Sequence, residues 1–141
     1  MPSTRQQLRA AVKDAITANV PALGGRVTGL RTFARGKDRL PDCEVVSVGQ
    51  DRTRLSGEDD TRTMHTIAVT IFDSVTADGE VQDRLDQIGE SVVDALDGDT
   101  TIASIVADGS FQTLDYEFDS PEGGAEQPAS LTINCVAMTL D

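Results

Sequence analysis

The residues with the most reactive side chains in this 141-residue chain are one histidine, His65, and two cysteines, Cys43 and Cys135. His65 stands at the head of an alternating stretch, on the same face as Ile67, Val69 and Ile71, where an imidazole is ordinarily a buried, hydrogen-bonded side chain. A Cys43–His65 nucleophile and base is conceivable across a hairpin, yet no third group is placed to orient the imidazole. Neither a GxSxG elbow nor an HExxH helix accompanies the histidine. The glycines form no GxGxxG or GxxxxGK[ST] loop, and Gly36-Lys37-Asp38 lacks the hydroxyl that completes a phosphate loop. Cys43 and Cys135 lie far apart in apolar stretches, which points to buried thiols rather than a disulfide or a CxxC metal site.

The carboxylates are more numerous and equally unassembled. Asp94, Asp97 and Asp99 around Gly98, and Glu58-Asp59-Asp60, lack the D-x-[DN]-x-[DN]-G spacing and distal Glu of a calcium loop, so they read as a solvated helix end and a charged loop tip. The run Asp115, Glu117, Asp119, Glu122, Glu126 could pair carboxylates for glycoside chemistry, but such a site needs an aromatic-lined cleft, and the chain has four Phe, one Tyr and no Trp. That run is expected on a solvent or channel face. No catalytic set, cofactor site or metal site is assigned.

The elements that would position these residues are legible from spacing. Ser3 with Gln6, and Thr4 with Gln7, each match a capping box, and Leu8, Ala11, Val12, Ala15 and Ile16 follow at helical intervals, predicting a helix over Ser3–Asn19 that Pro21 ends. A Gly24-Gly25 turn leads to a strand around Arg26–Phe33, a basic loop over residues 34–39, and a second strand over Cys43–Val48. The polar stretch Gly49–Asp60 reads as a loop into a long strand carrying Ile67, Val69 and Ile71 on one face. Val81, Leu85, Ile88, Val92 and Leu96 then make an amphipathic helix with Gly98 as its C-cap, its stripe matching that strand face. A short helical turn over Thr100–Val106, an Asp108-Gly109 turn, a strand over Ser110–Phe118, a Gly- and Pro-bearing loop over Asp119–Pro128 and a strand over Ala129–Leu140 complete the order. The expectation is a single α+β domain over residues 1–141: one mixed or antiparallel sheet of about five strands covered by two amphipathic helices, α-β-β-β-α-β-β.

Charge is segregated along the chain. The net charge is -12, yet residues 1–40 carry eight basic groups against two carboxylates. So acidic a remainder is a poor surface for wrapping nucleic acid. No run of about 18 apolar residues is available to span a membrane, and MPSTRQQ lacks the apolar core of a secretory leader, so a soluble protein that stays where it is made is expected.

In order along nearly the whole chain, the segments NVPALGGRV, LPDCEVVSVG, HTIAVTIF, VQDRLDQIGESVVDALDGD and LDYEFDSPEGGAEQPASLTINCVAMTL resemble the phage tail terminator family, the lambda-like minor tail proteins. The resemblance implies a virion structural protein with no catalytic residues. Such a protein assembles in the host cytoplasm as a homohexameric ring at the head–tail junction, binds the last ring of tail-tube protein and offers a surface to the neck or head-completion protein. DNA passes through its channel without specific binding. A neck or head-closure component is the nearest alternative. A small acidic enzyme or metal-binding domain using Cys43, His65 and the acidic loops is the alternative of another class.

A ring needs two different patches of one subunit to meet on adjacent copies, and complementary charge helps set that register. The segregated charges therefore place Arg31, Arg35, Lys37 and Arg39 at the subunit interface, against an acidic edge of the next copy. The two long polar loops are the expected tube or neck contacts, through Asp51, Arg52, Arg54, Glu58, Asp59, Asp60, Glu122 and Glu126.

Overall fold

The computed structural model describes residues 3–29, 40–54, 61–75, 80–120 and 128–140. Helix α1 covers Thr4–Asn19, a 3-10 turn Pro21–Leu23, strand β1 Val27–Thr28, β2 Asp42–Arg54 and β3 Thr61–Asp73. Helices α2 (Val81–Asp97) and α3 (Thr100–Ile105) and strands β4 (Gln112–Asp119) and β5 (Ala129–Leu140) follow. The strands form one mixed sheet in the order β1-β2-β3-β5-β4, with β1 parallel to β2 and every other neighbour antiparallel. The expected α+β class with a single sheet is the observed one.

Local chemistry explains where the helices begin and end. Of the two possible capping boxes at α1, Ser3 forms one: its Oγ accepts from Gln6 N at 3.2 Å, and its own N–H donates to Gln6 Oε1 at 2.8 Å. Gly24 and Gly25, at φ 56° and 78°, make the turn after the 3-10 segment, a left-handed conformation that side chains bearing a Cβ resist. Gly98 does close α2, its N–H bonding Asp94 O at 3.2 Å, but at φ -93° it uses none of glycine's left-handed freedom. The chain instead turns directly into α3, whose N-cap Asp99 accepts from Thr101 N at 3.0 Å.

Apolar periodicity then dictates packing. Leu8, Ala11, Val12, Ala15 and Ile16 of α1, and Val81, Leu85, Ile88, Val92 and Leu96 of α2, are buried against Cys43 and Val45 of β2, Ile67, Val69 and Ile71 of β3, and Leu131, Ile133 and Cys135 of β5. Each Val, Leu or Ile side chain among them contributes about 1.5–3 kcal/mol on removal from water. Gly89 lets α2 settle closely on β5, because a Cβ there would stand 2.7 Å from Leu131 Cδ2.

Three strand expectations are corrected. Strand β2 does not stop at Val48: the register shifts between Ser47 and Gly49, and the polar residues Gln50–Arg54 stay paired with His65–Thr61. A bulge absorbs one residue there, and the 13-residue β3 continues to offer partners whatever the polarity of the facing side chains. Strand β4 begins at Gln112 rather than Ser110. The Ser110 side chain takes the place of a ladder partner, its Oγ accepting from Met138 N and donating to Met138 O, both at 3.1 Å. A second shift between Thr113 and Asp115 also breaks the simple alternation, so Thr113 shares a face with Tyr116 and Phe118 while Asp115 joins Glu117. The first strand is expected over Arg26–Phe33; β1 occupies Val27–Thr28, and the positions from 30 onward lie outside the described residues.

Candidate assembly surface

All the helices lie on one face of the sheet, so the other face is defined by the residues left pointing away from them. Cross-strand register groups that face into rows: Glu44, Thr70, Thr132 and Glu117; Val46, Ala68, Asn134 and Asp115; Asp42, Phe72, Ser130 and Asp119. Hydroxyl and amide groups dominate its centre. Thr70 Oγ1 and Thr132 Oγ1 share a hydrogen bond of 3.1 Å, and Asn134 Nδ2 donates to Asp115 Oδ1 at 2.7 Å. Carboxylates concentrate along β4, where Asp115, Glu117 and Asp119 project from the same side of an exposed strand. Asp42 and Glu44 at the β2 side of this face are buried, whereas Asp115, Glu117 and Asp119 form a rim along its exposed β4 side. Side by side on one strand, these groups do not flank a substrate as the paired carboxylates of a glycosidase must.

The helix-side flank of β4 differs in character. Tyr116 is 53% and Phe118 37% exposed, unusual for aromatics on the covered face of a sheet, because α2 reaches only part of the way across this edge strand. Between α2 and β4 lies a recess of about 280 Å³ lined by Asp86, Gly89, Glu90, Tyr116 and Leu131. Partial burial and then the Glu90 carboxylate push the Tyr116 hydroxyl's pKa upward. Sequence reading passed over this feature, because alternation shows that Tyr116 and Phe118 share a face without showing that their strand is an edge.

At the opposite side of the sheet, a recess of about 550 Å³ opens between the start of α1 and the far end of β2 and β3, lined by Arg5, Gln50, Arg52, Thr63 and His65 among others. His65 is buried and its Nε2 lies 3.0 Å from Thr139 Oγ1, as expected of a structural imidazole. Cys43 is nowhere near it. Cys43 pairs with Ile71, six residues along β3 from His65, a separation of roughly 20 Å that removes the Cys–His dyad. Cys135 is buried beneath α2, and burial pushes its thiol pKa up to about 11. Among the described residues no group of three or more His, Cys, Asp or Glu side chains is placed to hold a metal ion, and no helix is long and apolar enough to cross a membrane.

The residues expected at partner contacts divide sharply. Asp51, Arg52 and Arg54 are exposed, but they stand on β2 opposite Met64, Thr63 and Thr61 rather than in a loop. Asp51 lies on the open face, and Arg52 and Arg54 lie on the helix side. Arg31, Arg35, Lys37, Arg39, Glu58, Asp59, Asp60, Glu122 and Glu126 fall outside the described residues.

This arrangement of sheet and helices recurs in a solved particle. The fold has a counterpart in a virion. A chain of the structure titled "Virion of native gene transfer agent (GTA) particle" superposes with a TM-score of 0.52 over 98% of this chain and 98% of its own length, at 12% sequence identity. No protein-family model and no curated protein matches the sequence.

Proposed function

We propose that this protein is a non-enzymatic virion structural component, a tail terminator that caps the completed tail tube as a homohexameric ring and offers the head-joining surface. The observation that carries the reading is the one-sided sheet. The described helices cover one face, while the β3, β5 and β4 part of the other presents hydroxyls and amides rimmed by the carboxylates of β4. Such a face suits a channel wall through which DNA passes, because each basic contact to phosphate would add salt-sensitive affinity and slow transit. The fold shared with a chain of a gene transfer agent virion, end to end in both proteins, supports the same reading. Arg31, Arg35, Lys37 and Arg39 would contribute to the joint between copies. The segments 55–60 and 121–127, carrying Glu58, Asp59, Asp60, Glu122 and Glu126, would meet the tube or the neck protein, with Asp51, Arg52 and Arg54 near the first of them.

The test is reconstitution with purified tail-tube protein and, separately, with portal-side head proteins. A terminator caps tube ends in electron micrographs and halts their growth. Binding to the portal side with no effect on tubes would instead identify a head-closure component.

A further inference from the structure

We propose that copies of this chain join edge to edge, β4 of one beside the Gln50–Thr53 edge of β2 of the next, with Arg52 seated in the recess between α2 and β4. The inference deepens the ring reading above by naming the joint. Strand direction is the first support. The antiparallel pairs β2–β3, β3–β5 and β5–β4 make β4 run opposite to β2, so a copy rotated about a ring axis presents its β2 antiparallel to the neighbouring β4. The joint repeats the relation already found inside the sheet.

Both edges have room. Among the described residues β4 has no strand on its outer side, and β2 has only β1, at Cys43 and Glu44. An open edge of this length is a template for strand addition unless something covers it.

Charge and shape select the partner. The β4 flank carries Asp115, Glu117 and Asp119 on the open face, and the helix-side recess sets Asp86 and Glu90 around Tyr116. The β2 flank carries Arg52, with Arg5 beside it at the start of α1. A recess of about 280 Å³ walled by an aromatic ring and two carboxylates accommodates one guanidinium, which stacks on the ring and bonds the acids. That is the pattern of an arginine anchor in an interface hot spot. Setting Tyr116 abreast of Arg52 also puts Glu117 beside Asp51 on the open face, where Arg62 of the adjacent β3 offsets the like pair.

The geometry closes. Tyr116 is level with Ile133, Val69 and Val45 inside its own sheet, whereas Arg52 is level with Thr63, six residues farther along β3. The joint therefore staggers each copy by roughly 20 Å over about 19 Å of sheet width, counting the four long strands. Strands then tilt about 45° from the ring axis, at the edge of the range in which sheets close into barrels. The stagger also carries β4 clear of β1.

Cysteine cross-linking of the full chain tests the joint. Arg52→Cys with Tyr116→Cys in one chain, checked for native circular dichroism, should on oxidation give a disulfide ladder of covalent oligomers on a non-reducing gel, while either single variant stays largely monomeric. In parallel, Arg52→Glu should abolish rings in light scattering, and adding Glu90→Arg to it should restore them. Wild-type rings that cap tubes, combined with no ladder and an unaffected Arg52→Glu ring, would overturn the joint and leave the terminator reading standing. A wild-type chain that forms no ring, alone or on tubes, would overturn both. Cross-linking of Tyr116→Cys to a cysteine of tube protein instead of to Arg52→Cys of another copy would also overturn the joint.

Discussion

Asp73, the last residue of β3, accepts a 3.1 Å hydrogen bond from Arg84 Nε in the first turn of α2, and Arg84 Nη2 donates to Ser74 O at 2.9 Å. The same carboxylate takes the Ser74 N–H at 2.8 Å, so one nearly buried group fixes both the end of the strand and the approach of the helix. Asp73→Ala should therefore destabilise the domain by about 1–3 kcal/mol. Urea unfolding checks this. Because Arg84 is about one-third exposed and can rehydrate, the loss should stay below that of a core charge.

A core charge is the second prediction. Val69 is fully buried at the centre of β3, and Ile88 is buried on the facing stripe of α2. Val69→Asp or Ile88→Asp places an unpaired carboxylate in that layer, and the expected outcome is an unfolded domain by circular dichroism. Wild-type melting of either variant would contradict the packing of α2 on the sheet.

Close approach at Gly89 yields a graded test. A Cβ would stand 2.7 Å from Leu131 Cδ2, and a branched side chain cannot be accommodated without moving α2 off β5. Gly89→Val should cost about 1–3 kcal/mol. Leu131→Ala in the same chain should recover part of the loss, a non-additivity that a double-mutant cycle reads directly.

The Cys135 thiol links stability to alkaline pH. Its ordinary value of 9.0 is pushed up to about 11 by burial, so between these pH values the folded chain keeps a proton that the unfolded chain releases. This contribution is intact below pH 9 and is lost as pH rises toward 11, by about 2–3 kcal/mol in all. Melting scans at pH 8 and pH 10.5 should show a smaller loss for Cys135→Ala than for wild type. At pH 8 the native thiol should also resist alkylation until the chain unfolds.

The basic segment between β1 and β2 gives the last prediction. Reversing Arg35 and Arg39 to Glu should lower hexamer formation in light scattering at fixed protein and salt concentration, with the circular dichroism spectrum unchanged. A ring population equal to wild type would move the contribution of this segment elsewhere.

Periodicity and capping made much of this architecture readable in advance. The 3.6-residue spacing of Leu8 to Ile16 and of Val81 to Leu96, the two-residue spacing of Ile67 to Ile71 and Leu131 to Ala137, and the Ser3 capping box are local patterns, and local sterics and hydrogen bonding enforce them wherever the chain goes. Tertiary structure decided what depends on non-local partners. The polar Gln50–Arg54 stretch is strand only because the long β3 lies beside it, and the bulges at Val48 and Leu114 reassign which side chains share a face. Among the described residues sheet order makes β4 an edge, which leaves Tyr116 exposed beside Asp86 and Glu90 and Phe118 exposed farther along the same strand. Alternation specifies the face on which a side chain stands; whether another strand or a helix covers that position is settled only when distant segments pack.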